Sequence, residues 1–206
     1  MYKLRFYFSK ADEVKYVGHL DMIELFDRAF RRAKLPIAFS EGFNPRPKLA
    51  FAHPLAVGIA SNEEIGEVEL SEKMSEEDFV TKLNHSLPTP IRIIKVEYTD
   101  EKKSLMSLVK SAEYIIKIED EKVSSINIEE MLNKEVIEIE KTSKSGKTSV
   151  INIKPLILSW QWIGKENKEF KVNLMTGSNE NLRPDTIIKL FGEIERYQIT
   201  REKIHI

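Results

Sequence analysis

Residues 1–99 alternate between two hydrophobic periodicities, and this alternation restricts the possible folds more than any other property of the sequence. Tyr2–Phe8 carries apolar side chains at every second position, which predicts a strand with one buried face. Between His19 and Pro36, apolar residues recur at spacings of three and four, which predicts an amphipathic helix. The same patterns predict the later segments: a short strand at 37–40, strands at 48–52, 65–70 and 91–98, and a second helix that starts near Glu76 with Ser75 as its N-cap.

This order, β-α-β-β-α-β, is that of the ferredoxin-like arrangement, in which two helices cover one face of an antiparallel sheet. The second half has a similar but less regular order, with strands at 112–119, 135–141, 148–158, 169–175 and 197–206 and helices at 127–132 and from Pro184 to Gly192. We therefore predict an α+β protein of two tandem ferredoxin-like units with antiparallel sheets. The first domain would comprise residues 1–99, with a basic helix and the loop GFNPRPK, and the second would comprise residues 105–206.

Composition excludes several kinds of site. The chain has no cysteine, so it can form no disulfide, thiolate metal site or cysteine nucleophile. Its net charge of −1 combines an excess of four positive charges in residues 1–60 with an excess of five negative charges in residues 61–206. This balance argues against indiscriminate nucleic-acid binding but allows a basic face near the N-terminus. No apolar run is long enough for a signal peptide or a transmembrane helix, so we expect a cytoplasmic protein.

The sequence contains none of the common catalytic or nucleotide-binding motifs. GxGxxG, GxxxxGK(S/T) and GxSxG do not occur, and the four histidines, His19, His53, His85 and His205, do not have metal-ligand spacing. His19 stands at the start of the first helix, where the helix dipole disfavours the imidazolium form and leaves a neutral imidazole that could act as a base. Packing or helix capping would explain the same residue. We therefore predict no metal site, and His19 is the catalytic candidate only if the protein is a nuclease.

The basic helix and the loop after it hold the strongest candidate binding residues. Arg28 and Arg31 each have an acid four residues earlier, whereas Arg32 does not. The loop 41–48 places an aromatic ring, an amide and two cations on a backbone stiffened by two prolines. This combination suits single-stranded nucleic acid or a phosphorylated small molecule, although Phe43 could instead be buried beneath the loop. The candidate anion- or RNA-binding residues are Arg28, Arg32, Phe43, Asn44, Arg46 and Lys48.

A secondary set of cations lies in the C-terminal half. The turn KTSKSGK carries Lys141, Lys144 and Lys147 without an acid, and Arg183 precedes Pro184 at the predicted start of a helix. A solvated hairpin tip would also explain the three lysines. A proline at the first helical position would also explain the Arg-Pro pair.

These residues resemble a known family. The segments GHLD, RAFRRAKLPIAFSEGFNPRPK, PLAVG, SNEE and VEL, within residues 16–70, are similar to the radical SAM-linked proteins, a family of unknown function. The segments KTSKSGK, INIKP and NLRP extend the resemblance into the second half. Members are encoded beside, or fused to, a radical SAM enzyme with a cobalamin-binding domain, in gene neighbourhoods that point to RNA metabolism. The chain departs from them at Gly18, where members often have Ser, and at Arg46, where they often have His.

The resemblance implies a stand-alone accessory subunit without a cofactor of its own. Its partner, a radical SAM enzyme, would carry an iron–sulfur cluster and S-adenosylmethionine, with cobalamin as a further candidate. We therefore expect a non-catalytic protein that acts with this enzyme in RNA binding or RNA modification.

Two alternatives stay open. One is a metal-independent endoribonuclease that uses His19, similar to the tandem ferredoxin-like proteins of CRISPR systems, although the glycine-rich loop of those enzymes is missing. The other is a subunit whose GFNPRPK loop docks the partner enzyme and contacts no nucleic acid.

Overall fold

The computed structural model describes residues 1–142, 146, 148–177 and 180–206. The chain forms two compact units, Met1–Val109 together with Thr200–Ile206, and Lys110–Ile199. Both units combine helices with antiparallel strands, so the predicted α+β class is confirmed. The ferredoxin-like detail of each unit and the domain limits stay predictions. Residues 105–109 and 200–206, which the prediction assigned to the second domain, belong to the first compact unit.

The described elements are, in chain order, β1 (Tyr2–Lys10), α1 (His19–Arg32), β2 (Leu49–Phe51), β3 (Ala60–Leu70), α2 (Glu76–Ser86), β4 (Ile91–Tyr98), α3 (Leu105–Leu108), β5 (Ser111–Ile118), α4 (Ser125–Asn133), β6 (Glu138–Thr142), β7 (Thr148–Asn152), β8 (Ile157–Gly164), β9 (Glu169–Met175), α5 (Pro184–Lys189) and β10 (Tyr197–His205). None of these helices has the length and apolar character needed to cross a membrane.

In the first unit, β1 lies between β3 and β4 and pairs antiparallel with both. On its other side, β3 pairs near its C-terminal end with the antiparallel strand β2, where Leu49 lies opposite Val68. Thr200 of β10 pairs in parallel with Ala60 near the N-terminal end of β3. The two helices begin where the sequence predicts. Ser75 caps α2 by accepting a hydrogen bond from the Asp78 amide at 3.1 Å.

The core beneath α1 and α2 is built around Phe6. Its ring lies 5.4–6.5 Å, centroid to centroid, from five other phenylalanine rings. Opposite Phe6 on β3 stands Gly66, where an added Cβ would lie 2.3 Å from the Phe6 Cζ atom. A glycine is therefore required here, because only a bare backbone lets the aromatic ring lie against the strand. The rings around Phe6 are those of Phe8, Phe26, Phe30, Phe51 and Phe79.

The opposite face of β1 and β3 carries a smaller apolar cluster around Tyr7 and Ile65, which α3 and the end of β10 complete. Tyr7 also makes a polar contact, since its hydroxyl donates to Glu97 Oε1 at 2.7 Å. Burial, and after it this hydrogen bond to a carboxylate, raises the pKa of Tyr7 to about 12. The phenol therefore stays neutral at physiological pH.

In the second unit, β9 lies between β5 and β8 and is antiparallel to both, while β6 and β7 pair with each other. The alternating side chains of β5 and β9 bury one face of this sheet. On the edge strand β8, the rings of Trp160 and Trp162 lie 6.4 and 5.9 Å from the ring of Phe170. Both tryptophans of the chain are thus in the second unit.

Several predicted strands were wrong in their extent, and β3, predicted at 65–70, begins at Ala60. Residues 37–40 form only isolated bridges, from Ile37 to Leu70 and from Phe39 to Pro47, and Pro47 has no N–H with which to extend a ladder. The strand predicted at 148–158 ends at Asn152, since Pro155 interrupts it and a 3₁₀ turn covers Lys154–Leu156. The chain resumes as β8, which runs on to Gly164.

Candidate functional site

The last turn of α2 is tied to β4, and two arginines donate hydrogen bonds to carbonyl groups of this turn. The Asn84 side chain bonds both the amide (2.8 Å) and the carbonyl (3.0 Å) of Ile93. Next to it, Arg92 donates from Nη1 to the Asn84 carbonyl at 3.1 Å, and Arg32 donates from Nη2 to the Ser86 carbonyl at 2.8 Å. The carbonyl groups at a helix C-terminus carry partial negative charge, which holds both guanidinium groups there.

These two arginines line an open groove of about 750 Å³, here called the basic groove. Lys82 and His85 also line it, and none of its described lining residues is an Asp or a Glu. In the part of the chain that the structure describes, neither Arg32 nor Arg92 pairs with a carboxylate. A guanidinium has five N–H donors, so each arginine keeps donors for a further acceptor. The groove therefore has the charge and the donors needed to bind an oxyanion such as a phosphate.

Arg28, the other helix arginine among the candidates, has a different environment. It pairs with Glu24 at 2.8 Å, just as Arg31 pairs with Asp27 at 2.7 Å, so both predicted i,i+4 pairs are confirmed. Arg28 and Arg32 together line a neighbouring groove of about 540 Å³, which also contains Asp21 and Glu24. The charge of Arg28 is thus compensated locally, and of these two helix arginines Arg32 alone lines the acid-free groove.

The predicted loop is closed and projects its tip into solvent. Ser40 and Arg46 close it, with a bond from the Ser40 amide to the Arg46 carbonyl (2.8 Å) and one from the Arg46 amide to Ser40 Oγ (3.0 Å). Phe43 is fully exposed, so the alternative in which its ring is buried beneath the loop is wrong. Asn44 and Arg46 are exposed as well. Lys48, in contrast, pairs with Glu69 at 2.9 Å.

The two parts of the predicted site are separate features, because no loop residue is among the described lining residues of the basic groove. In the secondary set, Lys141 is exposed on β6, whereas Lys144 and Lys147 lie outside the described residues. Arg183 pairs with Asp185 at 2.9 Å, and Pro184 opens α5 as the sequence predicts.

A second cavity, here called the histidine cavity, lies below the N-terminus of α1. It has a volume of about 20 Å³. Its polar lining comes from His19, His53, Lys10 and Glu64, and its walls are apolar. The Nδ1 atom of His53 is buried without a hydrogen-bond partner among the described residues. The apolar lining residues are Phe8, Val17, Met22, Phe51 and Leu55.

Buried charges organise this cavity. Lys10, only 2% exposed, donates to the carbonyls of Lys15 (3.1 Å) and Val17 (2.8 Å) and so fixes the segment that leads into α1. Glu64 and Arg201 form a buried ion pair with two bonds, one of them from Arg201 Nε to Glu64 Oε1 at 2.7 Å. Arg201 also donates to the His53 carbonyl at 3.0 Å. The ion pair thus supports the backbone that carries His53.

The same surroundings set the protonation states. Burial, and after it the positive charge of Arg201, lowers the pKa of His53. Burial also lowers the pKa of Lys10, and the nearby carboxylate of Glu64 opposes this shift. His53 is therefore a neutral imidazole at physiological pH, which can accept a proton. Across the described residues, no group of three His, Asp or Glu side chains could hold a metal ion.

Sequence reasoning identified His19 and Arg32 but missed their neighbours. His53, Lys10, Glu64 and Arg201 are far apart in the chain and have no motif spacing. The only hint of His53 is that it lies in the acid-free stretch 42–62. Lys82, His85 and Arg92 join Arg32 only because α1, α2 and β4 meet at one place.

Comparison with known proteins gives a family but no activity. No curated protein matches the sequence. The profile of a family described as an uncharacterized protein conserved in bacteria (DUF2344) matches residues 3–184, which is most of the chain. The chain therefore belongs to this family of uncharacterized bacterial proteins.

Proposed function

We propose that this protein is an accessory subunit that binds RNA for a radical SAM enzyme. The acid-free basic groove is the observation that carries the RNA-binding part of this proposal. Its volume of about 750 Å³ is in the range of sites for small molecules, and a nucleotide is of that size. Because its cations have no carboxylate in the lining, a phosphate would gain charge-assisted hydrogen bonds without displacing an existing ion pair.

The loop 41–48 supplies a second kind of contact. The Phe43 ring is fully exposed, and the closed loop holds it outward. A base can stack on such a ring regardless of its identity, so the loop offers a contact, separate from the groove, that suits a single strand bound without strict sequence preference.

The partner enzyme enters the proposal through the resemblance of residues 16–70 to the radical SAM-linked proteins. The iron–sulfur cluster, the S-adenosylmethionine and any cobalamin would belong to that enzyme. In this arrangement the protein presents RNA and the partner modifies it.

The groove can be tested with a fluorescently labelled single-stranded RNA, whose binding is followed by fluorescence anisotropy. Salt is varied from about 50 to about 200 mM, the range in which affinity that depends on phosphate contacts falls. We expect affinity to fall steeply with salt, and Arg32→Gln/Arg92→Gln to weaken binding at least about tenfold while reducing the salt slope by about 1.4, since each single-strand phosphate contact contributes roughly 0.7. Glutamine keeps a donor for the carbonyls of α2. Arg28→Gln, which removes a cation already paired with Glu24, is the matched control and should bind almost as well as wild type.

Failure of the wild-type protein to bind at low salt, or an unchanged isotherm for the double variant, would reject the groove as the RNA site. Co-purification with the radical SAM enzyme, with and without RNase treatment, tests the partner. If Phe43→Ser abolishes this association but leaves RNA binding intact, the loop docks protein and not RNA.

A further inference from the structure

The basic groove continues into the neighbouring groove along α1, and the two grooves differ in charge. Arg32, Ser86 and Leu87 line both, so a ligand can extend from one groove into the other. The basic groove has no Asp or Glu among its described lining residues, whereas the neighbouring groove, of about 540 Å³, contains Asp21 and Glu24. The continuous surface therefore suits a ligand with an oxyanion at one end and hydrogen-bond donors at the other.

The two carboxylates of the neighbouring groove are not equivalent. Glu24 pairs with Arg28 at 2.8 Å, so its charge is compensated. Asp21 is exposed, its Oδ2 atom accepts a hydrogen bond from the Gly18 amide at 3.2 Å, and among the described residues it has no cationic partner. A carboxylate has about four lone-pair sites. Asp21 therefore keeps both its negative charge and acceptor sites for a ligand.

The separation of the charges decides which part of a ligand lies where. Asp21 and Arg32 stand at opposite ends of α1, about 16 Å apart along the helix axis. This exceeds the screening length of about 8 Å at physiological salt, so Asp21 does not oppose a phosphate held by Arg32. A phosphate in the neighbouring groove, in contrast, would lie near Asp21, and the nearest cation, Arg28, is already paired. A nucleotide in that groove is therefore favoured only if it carries no further phosphate, as at the end of a strand.

We propose that the two grooves together bind the 3′ end of a single-stranded RNA. The proposal rests on the proposed function, because the last phosphate of the strand occupies the basic groove. The terminal nucleoside lies in the neighbouring groove, where its free 2′- and 3′-hydroxyl groups donate to Asp21. An acidic side chain that accepts from a ribose hydroxyl is also how dinucleotide-binding folds recognise ribose.

The walls of the neighbouring groove suit a nucleoside. Val17, Leu25, Leu87 and Pro88 supply apolar surface against which a sugar and a base can pack. The 5′ end of a strand fits less well, because its 3′-oxygen is esterified and its ribose offers no free pair of adjacent hydroxyls. The volume of about 540 Å³ is within the range of sites for small molecules.

Competition between RNAs that differ only at their ends tests the proposal. Unlabelled strands of one sequence displace a fluorescently labelled single-stranded RNA, and anisotropy follows the displacement at about 50 mM salt. A 3′-phosphate brings negative charge to Asp21, and a 2′,3′-dideoxy terminus removes both donors, so we expect each to weaken competition at least about tenfold. A strand with a 5′-phosphate should compete almost as well as one with a 5′-hydroxyl.

Two variants assign the preference to one side chain. Asp21→Asn removes the charge and keeps an oxygen that can accept from the Gly18 amide, so the penalty for a 3′-phosphate should fall below about threefold. Asp27→Asn is the matched control, because Asp27 lies on the same helix, pairs with Arg31 and is not among the described lining residues of either groove. This control should keep the full penalty.

Equal competition by 3′-hydroxyl and 3′-phosphate strands would overturn the inference, and so would full competition by a circular RNA of the same sequence. A larger penalty for a 5′-phosphate than for a 3′-phosphate would overturn the choice of end. If Asp27→Asn removes the preference as Asp21→Asn does, the role of Asp21 is wrong. In each of these cases RNA still binds and the proposed function stands, whereas absence of binding by every strand would overturn the proposed function itself.

Discussion

Gly66→Ala tests how tightly the first unit is packed. The new methyl group would lie 2.3–2.8 Å from three ring atoms of Phe6, whereas ordinary contacts begin at 3.4 Å. Phe6 would have to move by about 1 Å, and it cannot do so freely because it is fully buried among five other rings. Overpacking typically costs about 1–3 kcal/mol, and we expect a value near the upper end. The gain of about 0.4–1 kcal/mol from a less flexible unfolded chain does not offset it.

Thermal denaturation followed by far-UV circular dichroism measures the effect. For a chain of this size, about 1 kcal/mol corresponds to a shift of roughly 2–4 °C, so the midpoint should fall by about 5–10 °C. Gly164→Ala is the matched control, since its nearest neighbouring atom is 3.8 Å away and an added methyl group is accommodated. Phe6→Leu in the Gly66→Ala background should recover part of the loss, because the two substitutions act on one contact. A midpoint for Gly66→Ala within about 1 °C of wild type would refute the packing argument.

Three further predictions concern charge and exposure. Glu64→Gln should lower the free energy of unfolding by about 3–5 kcal/mol, because Arg201 is only 1% exposed and would lose its carboxylate; a change below about 1 kcal/mol in urea denaturation would contradict this. The pKa of Tyr7 rises from 10.0 to about 12 on folding, so its contribution to stability is complete below pH 10 and is lost as the pH rises from 10 toward 12. Tyr7→Phe should therefore flatten the fall in the free energy of unfolding at alkaline pH. An identical pH dependence for wild type and variant would count against this. Phe43→Ser should leave stability within about 0.5 kcal/mol of wild type and weaken RNA binding at least about tenfold, as loss of one stacked base would; a marked fall in the unfolding midpoint would show that the ring packs against the protein.

Local pattern was sufficient for most of the first unit. The start of α1, the cap of α2 at Ser75 and the buried faces of β1 and β4 follow from side-chain spacing, because an amphipathic element must bury one face wherever it lies. The strand predicted at 37–40 was wrong, since Ile37 and Phe39 bridge to two different segments and Pro47, opposite Phe39, has no N–H for a ladder. Patterns of this length do not reveal which neighbour supplies the hydrogen bonds.

The sites depended on tertiary structure to a greater degree. Arg32 was identifiable from the sequence because no acid stands four residues before it. Whether a helix residue has an i,i+4 ion-pair partner depends only on the local sequence. Its partners Lys82 and Arg92 come from other elements, and only the contact between the end of α2 and β4 brings them to the same groove. Likewise His19 and His53 share a cavity because α1 packs over the strands beside them, and Arg201 reaches His53 from the far end of the chain. Convergence of distant residues depends on how whole elements pack, and the spacing of residues along one segment carries no information about it.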